Sequence, residues 1–311
     1  MIEDRILGGL LGVATGDALG ATVEFMSPAA IRSYYGQHTE ILGGGVFDWR
    51  PGQGTDDTDM TACVARAYAA GYDLDAVSSN FLGWYRGGPR DIGGMTAAAL
   101  RHLQSNGDPR ESGALALAGR DPRATAGNGS LMRALPTALA QSDAAARIRE
   151  AAEISAVTHA DPRCVQACIA YVDLAGTLVD GASVPDALEA TIERANDRSA
   201  LADVTAALTV DPGRPVTSLP TTGYVLDSLA AAVWAIQQPR PAEALLVDVV
   251  NQGDDADTTG AIVGGLLGVR DGARAFPRRW IDQLEYRDEL TSLAPLLARR
   301  RAGDEGTSIS A

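Results

Sequence analysis

Glycine recurs at every fourth position in two stretches far apart in the chain: Gly8, Gly12, Gly16 and Gly20 near its start, and Gly260, Gly264 and Gly268 beyond residue 250. In a helix this spacing puts the glycines on one face, so each stretch presents a strip without side chains. An internal glycine costs a helix about 1 kcal/mol relative to alanine. Three or four in register therefore need a return, and a very close approach to a neighbour in the core supplies one. A plainer reading stays open, in which small residues only relieve a crowded crossing with no site nearby.

The remaining pattern is helical as well. Alanine-rich segments with apolar residues three and four apart recur, as in MTACVARAYAAGY, MTAAALRHL, VQACIAYVDLAGTLV and YVLDSLAAAVWAI, and strand-like alternation is scarce. An all-α protein is expected. Breaker clusters separate the helices, among them FDWRPGQG before Thr55, RGGPRDIGG around Asp91 and GRDPRATAGNGS before Leu131. Residues 302–311, AGDEGTSISA, read as a frayed, flexible tail.

Charge narrows the function classes. The 26 basic residues are all arginine, and 40 acidic ones leave a net charge of −14. The absence of lysine excludes Schiff-base catalysis, a pyridoxal-phosphate anchor and a Walker lysine. The negative balance repels phosphate backbones and anionic lipid, so neither nucleic acid nor membrane is expected as a partner. No uncharged apolar run reaches the roughly 18 residues of a membrane span. Glu3 and Asp4 stand where an export signal needs positive charge, and Asp17 interrupts the apolar run behind them, so a cytoplasmic protein is expected. Cys63, Cys164 and Cys168 form no C-x-x-C pair and read as reduced core residues. Trp84, Tyr85 and Trp234 read as core or cleft wall.

Two carboxylate clusters carry the chemistry. Gly54-Thr55-Asp56-Asp57-Thr58-Asp59-Met60 precedes an amphipathic run, and Gly253-Asp254-Asp255-Ala256-Asp257-Thr258-Thr259-Gly260 opens a glycine-spaced helix. Capping is one reading, because Asp and Thr satisfy free amides and suit the dipole at a helix start. A cap needs one acid, however, and each cluster holds three, whose mutual repulsion a cation relieves. Carboxylate and hydroxyl oxygens without nearby histidine or thiolate suit hard ions such as Mg²⁺ or Mn²⁺. An EF-hand fails: Asp255, Asp257 and Gly260 match its first, third and sixth positions, but Leu266 stands where the bidentate Glu is required. If the clusters converge from about 200 residues apart, the chain is one domain, expected over residues 1–301.

Taken in order, GLLGVATGDALGATVEF, GTDDTDMT, DIGGMTAAAL, GNGSLMRALP, THADPRC, GYVLDSLAAAVWAI and NQGDDADTTGAIVGGLLG resemble the ADP-ribosylglycohydrolases, a family that includes ADP-ribosyl-acceptor hydrolases, over roughly residues 5 to 270. The resemblance implies a compact all-helical fold with a dinuclear metal cleft. It implies two divalent cations, Mg²⁺ or Mn²⁺, held by Thr55, Asp56 and Asp57 from the first cluster and Asp255, Asp257 and Thr258 from the second. Asp254 stands where many members have glycine and is taken as a tolerated variant. Glu24 matches an acidic residue beside the ribose with a catalytic role in some members, and Asp91 another near the centre. Gly127, Asn128, Gly129, Ser130, Met132 and Arg133 match the loop that cradles phosphates and the distal ribose. Glycines there free the backbone to approach a ligand, a helix start directs amides at anions, and Arg133 is placed to add a charge-assisted bond. His159 matches a residue lining the ADP-ribose site, and Tyr224 an aromatic that stacks on adenine.

The implied reaction is hydrolysis of the glycosidic bond between ADP-ribose and an acceptor, either an ADP-ribosylated protein side chain such as arginine or a small ADP-ribose conjugate. Departure of the acceptor builds oxocarbenium-like charge on the ribose, and a monomer is expected to suffice. Two rivals remain: a non-catalytic, crystallin-like ADP-ribose binder, and a metal-dependent phosphohydrolase of nucleotide sugars. Acceptor choice is expected to lie in loops around the cleft.

Overall fold

In the computed structural model, which describes residues 2–303, the two glycine strips face each other. A Cβ placed on Gly8, Gly12, Gly16 or Gly20 would come within 2.3, 2.1, 1.9 and 2.3 Å of the carbonyl oxygens of Gly268, Gly264, Gly260 and Ala256. The reverse construction on Gly260, Gly264 and Gly268 meets the carbonyls of Gly16, Gly12 and Gly8. The partners run in opposite order, so the helices are antiparallel, and only residues without Cβ permit this backbone-to-backbone crossing. Cα–H to carbonyl contacts at such a distance return part of the glycine cost.

Sixteen α-helices lie among the described residues, and no β-strand. They are α1 (Ile2–Gly20), α2 (Pro28–Tyr35), α3 (Asp56–Ala69), α4 (Leu74–Arg86), α5 (Gly94–Asn106), α6 (Ser112–Leu117), α7 (Leu135–Ala140) and α8 (Ala144–Ala156). After these come α9 (Pro162–Val179), α10 (Val184–Asp197), α11 (Ala202–Leu208), α12 (Val225–Ile236), α13 (Ala242–Val250), α14 (Ala256–Asp271), α15 (Arg278–Ile281) and α16 (Arg287–Arg301). The helical reading of the sequence holds throughout. The crossing of α1 and α14 is the axis of the molecule, with α3, α7 and α16 packed on α1 and with α9, α12 and α13 on α14. Both axial helices are buried nearly all round, as expected for core elements rather than amphipathic surface helices.

Starts and stops follow local chemistry. Asp143, Asp161 and Ser183 cap α8, α9 and α10 through their side chains, with Pro162 at the first position of α9 and Pro185 at the second of α10. Cys63, Cys164 and Cys168 are buried free thiols, Trp234 is a core residue, and Trp84 and Tyr85 are partly buried against the same core. The last helix ends at Arg301, whose guanidinium donates to the carbonyls of Ala138, Gln141 and Gly176. Of the tail expected at 302–311, residues 304–311 lie outside the described residues. Among the described residues no helix is long and apolar enough to cross a membrane.

Candidate active site

The antiparallel crossing places the start of α14 against the end of α1, and α3 begins beside both. Its N-terminus is held by a residue of another helix: Asp17 of α1 accepts from the Thr55 amide at 3.0 Å and the Thr58 amide at 3.1 Å, and also from the Thr58 hydroxyl. Thr55 caps the same helix locally, accepting from the Asp57 amide at 3.3 Å. The capping duty of the first cluster is thus met by Asp17 and Thr55, and the carboxylates of Asp56 and Asp57 are not needed for it. In the second cluster Asp255 is the N-cap residue of α14 but makes no side-chain capping bond. Its carboxylate instead accepts from the Asn128 amide group at 2.6 Å. Capping therefore does not explain either cluster.

The acids converge instead. Oxygens of Asp17, Asp57 and Asp257 lie within 4.8 Å of one another, and so do those of Glu24, Asp91 and Asp257. Thr55 and Thr258 donate their hydroxyls to the same oxygen of Asp57, at 3.0 and 3.3 Å. The other Asp57 oxygen, one oxygen of Asp257 and one of Glu24 are buried without a hydrogen-bond partner among the described residues. Unpaired acceptors this deep are costly unless something outside the chain satisfies them. Burial, then the charges of Asp91, Asp255 and Asp17, push Glu24 up to about 8. Burial alone raises Asp17 to about 7 against the pull of its hydrogen bonds. Asp56, Asp57 and Asp257 are held well above the carboxylate range by burial and by each other's neighbours, and Asp91 and Asp255 are raised as well. An oxygen-only donor set of this charge, with orphaned buried acceptors, fits hard divalent cations.

A cleft of about 450 Å³ opens above these acids. Glu24, Asp56, Asp91, Asp255, Asp257 and Thr258 line its floor, and Gly127, Asn128, Gly129, Met132 and His159 line its wall. Asn128 ties wall to floor, since its side chain bonds Ser228 as well as Asp255 and its amide bonds the Gly223 carbonyl. Gly129 has room for no Cβ, which would meet the His159 ring at 2.9 Å. Burial and the nearby Arg133 push His159 down to about 3, so its ring is neutral, with Nδ1 2.8 Å from the Thr158 hydroxyl.

Several sequence expectations need correction. Arg133 does not face the cleft; it is fully buried, donating to the Gly129 carbonyl and the Thr158 hydroxyl with its guanidinium 4.6 Å over the Phe81 ring. It braces the loop from behind. Ser130 also points inward, accepting from Ser155 at 3.0 Å. No helix starts at GNGS: the segment is a succession of turns, and α7 begins only at Leu135. Tyr224 pairs with Gly127 through an isolated bridge and lines a separate groove beside α11 and α12 rather than the cleft. Thr55 and Asp57 lie beneath the cleft floor and not on it.

Two residues escaped the sequence reading. Asp17, a single acid inside an apolar run, is a full member of the acidic cluster. Arg120, within the GRDPR breaker, is the cation among the described cleft-lining residues. Asp59, the third acid of its cluster, faces away and accepts from Tyr286 at 2.6 Å and Trp84 at 2.8 Å. Asp254 is exposed at the cleft mouth in a left-handed conformation, φ 56°, the geometry that favours glycine.

The fold and the site define an all-helical protein whose cleft gathers buried carboxylates from two helix starts beneath a glycine-containing loop. The family model for ADP-ribosylglycohydrolase matches residues 1–306. The chain belongs to the ADP-ribosylglycohydrolase family and is an enzyme of that class. It is 33% identical to the ADP-ribosyl-[dinitrogen reductase] glycohydrolase of Rhodospirillum rubrum, over 93% of this chain and 92% of that protein. It is 29% identical to the ADP-ribosylarginine hydrolase Tri1 of Serratia proteamaculans, over 94% of this chain and 79% of that one. A solved ADP-ribosylglycohydrolase-related protein complex superposes with a TM-score of 0.82 at 32% identity, covering 96% of this chain and 99% of that one.

Proposed function

We propose that this enzyme hydrolyses the glycosidic bond between ADP-ribose and an acceptor nitrogen or oxygen, on a protein side chain such as arginine or in a small conjugate, and releases ADP-ribose. The observation that carries this reading is the meeting of Asp57 and Asp257, each with a buried, unpaired oxygen. Thr55, Asp56, Asp57, Asp255, Asp257 and Thr258 are the residues that would hold two divalent cations, Mg²⁺ or Mn²⁺. When bound, such ions supply positive charge for ribose hydroxyls and for water.

The chain's own groups do the rest. The turn wall from Gly127 to Met132, with neutral His159, encloses the ADP-ribose and limits water. Arg120 meets the pyrophosphate by a charge-assisted bond, which reconciles an acidic protein with an anionic ligand. Carboxylates along the floor favour oxocarbenium-like charge at the ribose. Glu24, held up to about 8 by its surroundings, holds or moves the proton that must reach the leaving atom as water gives its hydroxyl to the anomeric carbon. One domain over residues 1–301 acting as a monomer suffices, since all these groups come from a single chain.

Incubation with an ADP-ribosylated arginine peptide tests the reading by product analysis. Free ADP-ribose is expected. AMP with ribose phosphate would instead identify a phosphohydrolase, and tight ADP-ribose binding without cleavage of any conjugate would identify a binder.

A further inference from the structure

A groove of about 390 Å³ lies beside the cleft and shares two residues with it, Phe25 and Asp254. Met26, Pro28, Leu219 and Pro220 give it an apolar lining, and exposed Thr217 stands at its edge. We propose that this groove holds an apolar side chain of the acceptor polypeptide, from a residue neighbouring the modified one, and that Phe25 is the ridge that positions it. The inference rests on the ADP-ribosyl hydrolase reading of the cleft.

Phe25 carries the argument. It is 63% exposed and stands in the left-handed region, φ 60°, which a bulky side chain rarely adopts. A ring kept in water on a strained backbone beside an active site calls for a role at that place. The strain is held by its partners: the Phe25 amide donates to the Asp254 carbonyl at 2.7 Å, and the Asp254 amide to the Met26 carbonyl at 2.9 Å. Gly253 leaves no room for a Cβ against that same Met26 carbonyl. Thr221 completes the lacing, donating its hydroxyl to the Gly253 carbonyl at 2.9 Å and accepting from the Asp255 amide at 3.0 Å. The groove is thus preformed, and its walls adjoin Glu24 and Asp255 in the chain. Anything seated in it is in fixed register with the reacting centre.

Continuity with the cleft selects the occupant. With ADP-ribose between Arg120, His159 and Asn128, the acceptor leaves the ribose beside Glu24, and a polypeptide carrying it crosses the cleft mouth where Phe25 stands. A small conjugate has no atoms to place beyond that ridge, whereas the next residue of a polypeptide does. Asp254 is the charged residue among the described residues lining the groove, and it disfavours an anionic group such as a second nucleotide. Met26, Leu219, Pro220 and the Phe25 ring offer apolar surface that gains from being covered by an aliphatic side chain.

The test measures kcat/KM for a free ADP-ribosylated amino acid and for two peptides in which the modified residue is flanked on both sides by leucine or by serine. Each is prepared with arginine-linked and with serine-linked ADP-ribose, and the linkage that turns over is read. The wild type is expected to prefer the leucine-flanked peptide by about fivefold. Thr217→Trp fills the groove from its exposed edge, and Phe25→Asn keeps a residue that tolerates the left-handed backbone while removing the ring. Each should bring the preference to about one, and T217W should leave the free amino-acid conjugate unchanged. No preference in the wild type, or a preference kept in either variant, overturns the proposal, as does an equal loss for all three substrates in T217W. A dimeric wild type that T217W converts to a monomer would give the groove to a second copy and overturn it too. A wild type that binds ADP-ribose but cleaves none of the substrates defeats the hydrolase reading itself, and the assignment of the groove with it.

Discussion

Asp17 accepts from the amide of Thr58 at 3.1 Å, so a carboxylate in the last turn of one buried helix caps the start of another. The bond joins the glycine crossing to the acidic floor: α1 is fixed against α14 by its backbone, and α3 is fixed against α1 by Asp17. The geometry of the site is therefore set by the core.

Replacing Asp17 with alanine leaves the buried amides of Thr55 and Thr58 unpaired. In saturating Mn²⁺, which removes the effect of carboxylate repulsion, Asp17→Ala is expected to lose about 2–4 kcal/mol in urea unfolding. Asp17→Asn, which keeps one acceptor, loses less. Equal stability of D17A and the wild type would contradict the capping role.

The crossing itself is tested by size. A Cβ at Gly16 would lie 1.9 Å from the Gly260 carbonyl oxygen, so Gly16→Ala forces the helices apart at a cost of about 3 kcal/mol or more. Gly83, inside α4, meets nothing within 4 Å, and Gly83→Ala is expected to stabilise by about 0.5–1 kcal/mol. Thermal melting of the two variants should move in opposite directions.

The raised carboxylates make metal-free stability depend on pH with a definite sign. Asp17 rises from 3.8 to about 7 and Glu24 from 4.5 to about 8, so the folded state binds more protons than the unfolded chain between these limits. Stability is fully present below about pH 4 as far as these groups are concerned, and is lost as pH rises through 7 to 8. Melting of chelator-treated protein should fall across that window, and Mn²⁺ should flatten the fall. A rise with pH in the chelated protein would contradict the account.

Arg120 is expected to act on binding rather than turnover. Arg120→Ala should weaken ADP-ribose binding by about tenfold, the loss of one charge-assisted bond, while melting stays unchanged because the side chain is exposed. Unaltered affinity in calorimetry would place the pyrophosphate elsewhere.

Periodic features of this protein were legible in its sequence, and solitary ones were not. Glycines four apart signal a bare helical face, and the structure adds that the two faces meet each other. The clusters at Thr55 to Asp57 and Asp255 to Thr258 were visible as too many acids for a cap, but the decision needed Asp17, which performs the capping from another helix. A lone Asp in an apolar run carries no pattern that announces its partners. Arg133 shows the converse failure: its charge was legible, but its direction was not, and it points into the core toward Phe81. GNGS looked like a helix start because glycine and serine serve both turns and caps, and here the turns prevail.

Calorimetric titration with Mn²⁺, repeated on Asp257→Asn, tests the convergence of the two clusters most directly. The account predicts two ions per wild-type chain and the loss of at least one in D257N, with turnover of ADP-ribosylated arginine falling in step. Absence of saturable binding in the wild type, or the same stoichiometry and turnover in D257N, would contradict it.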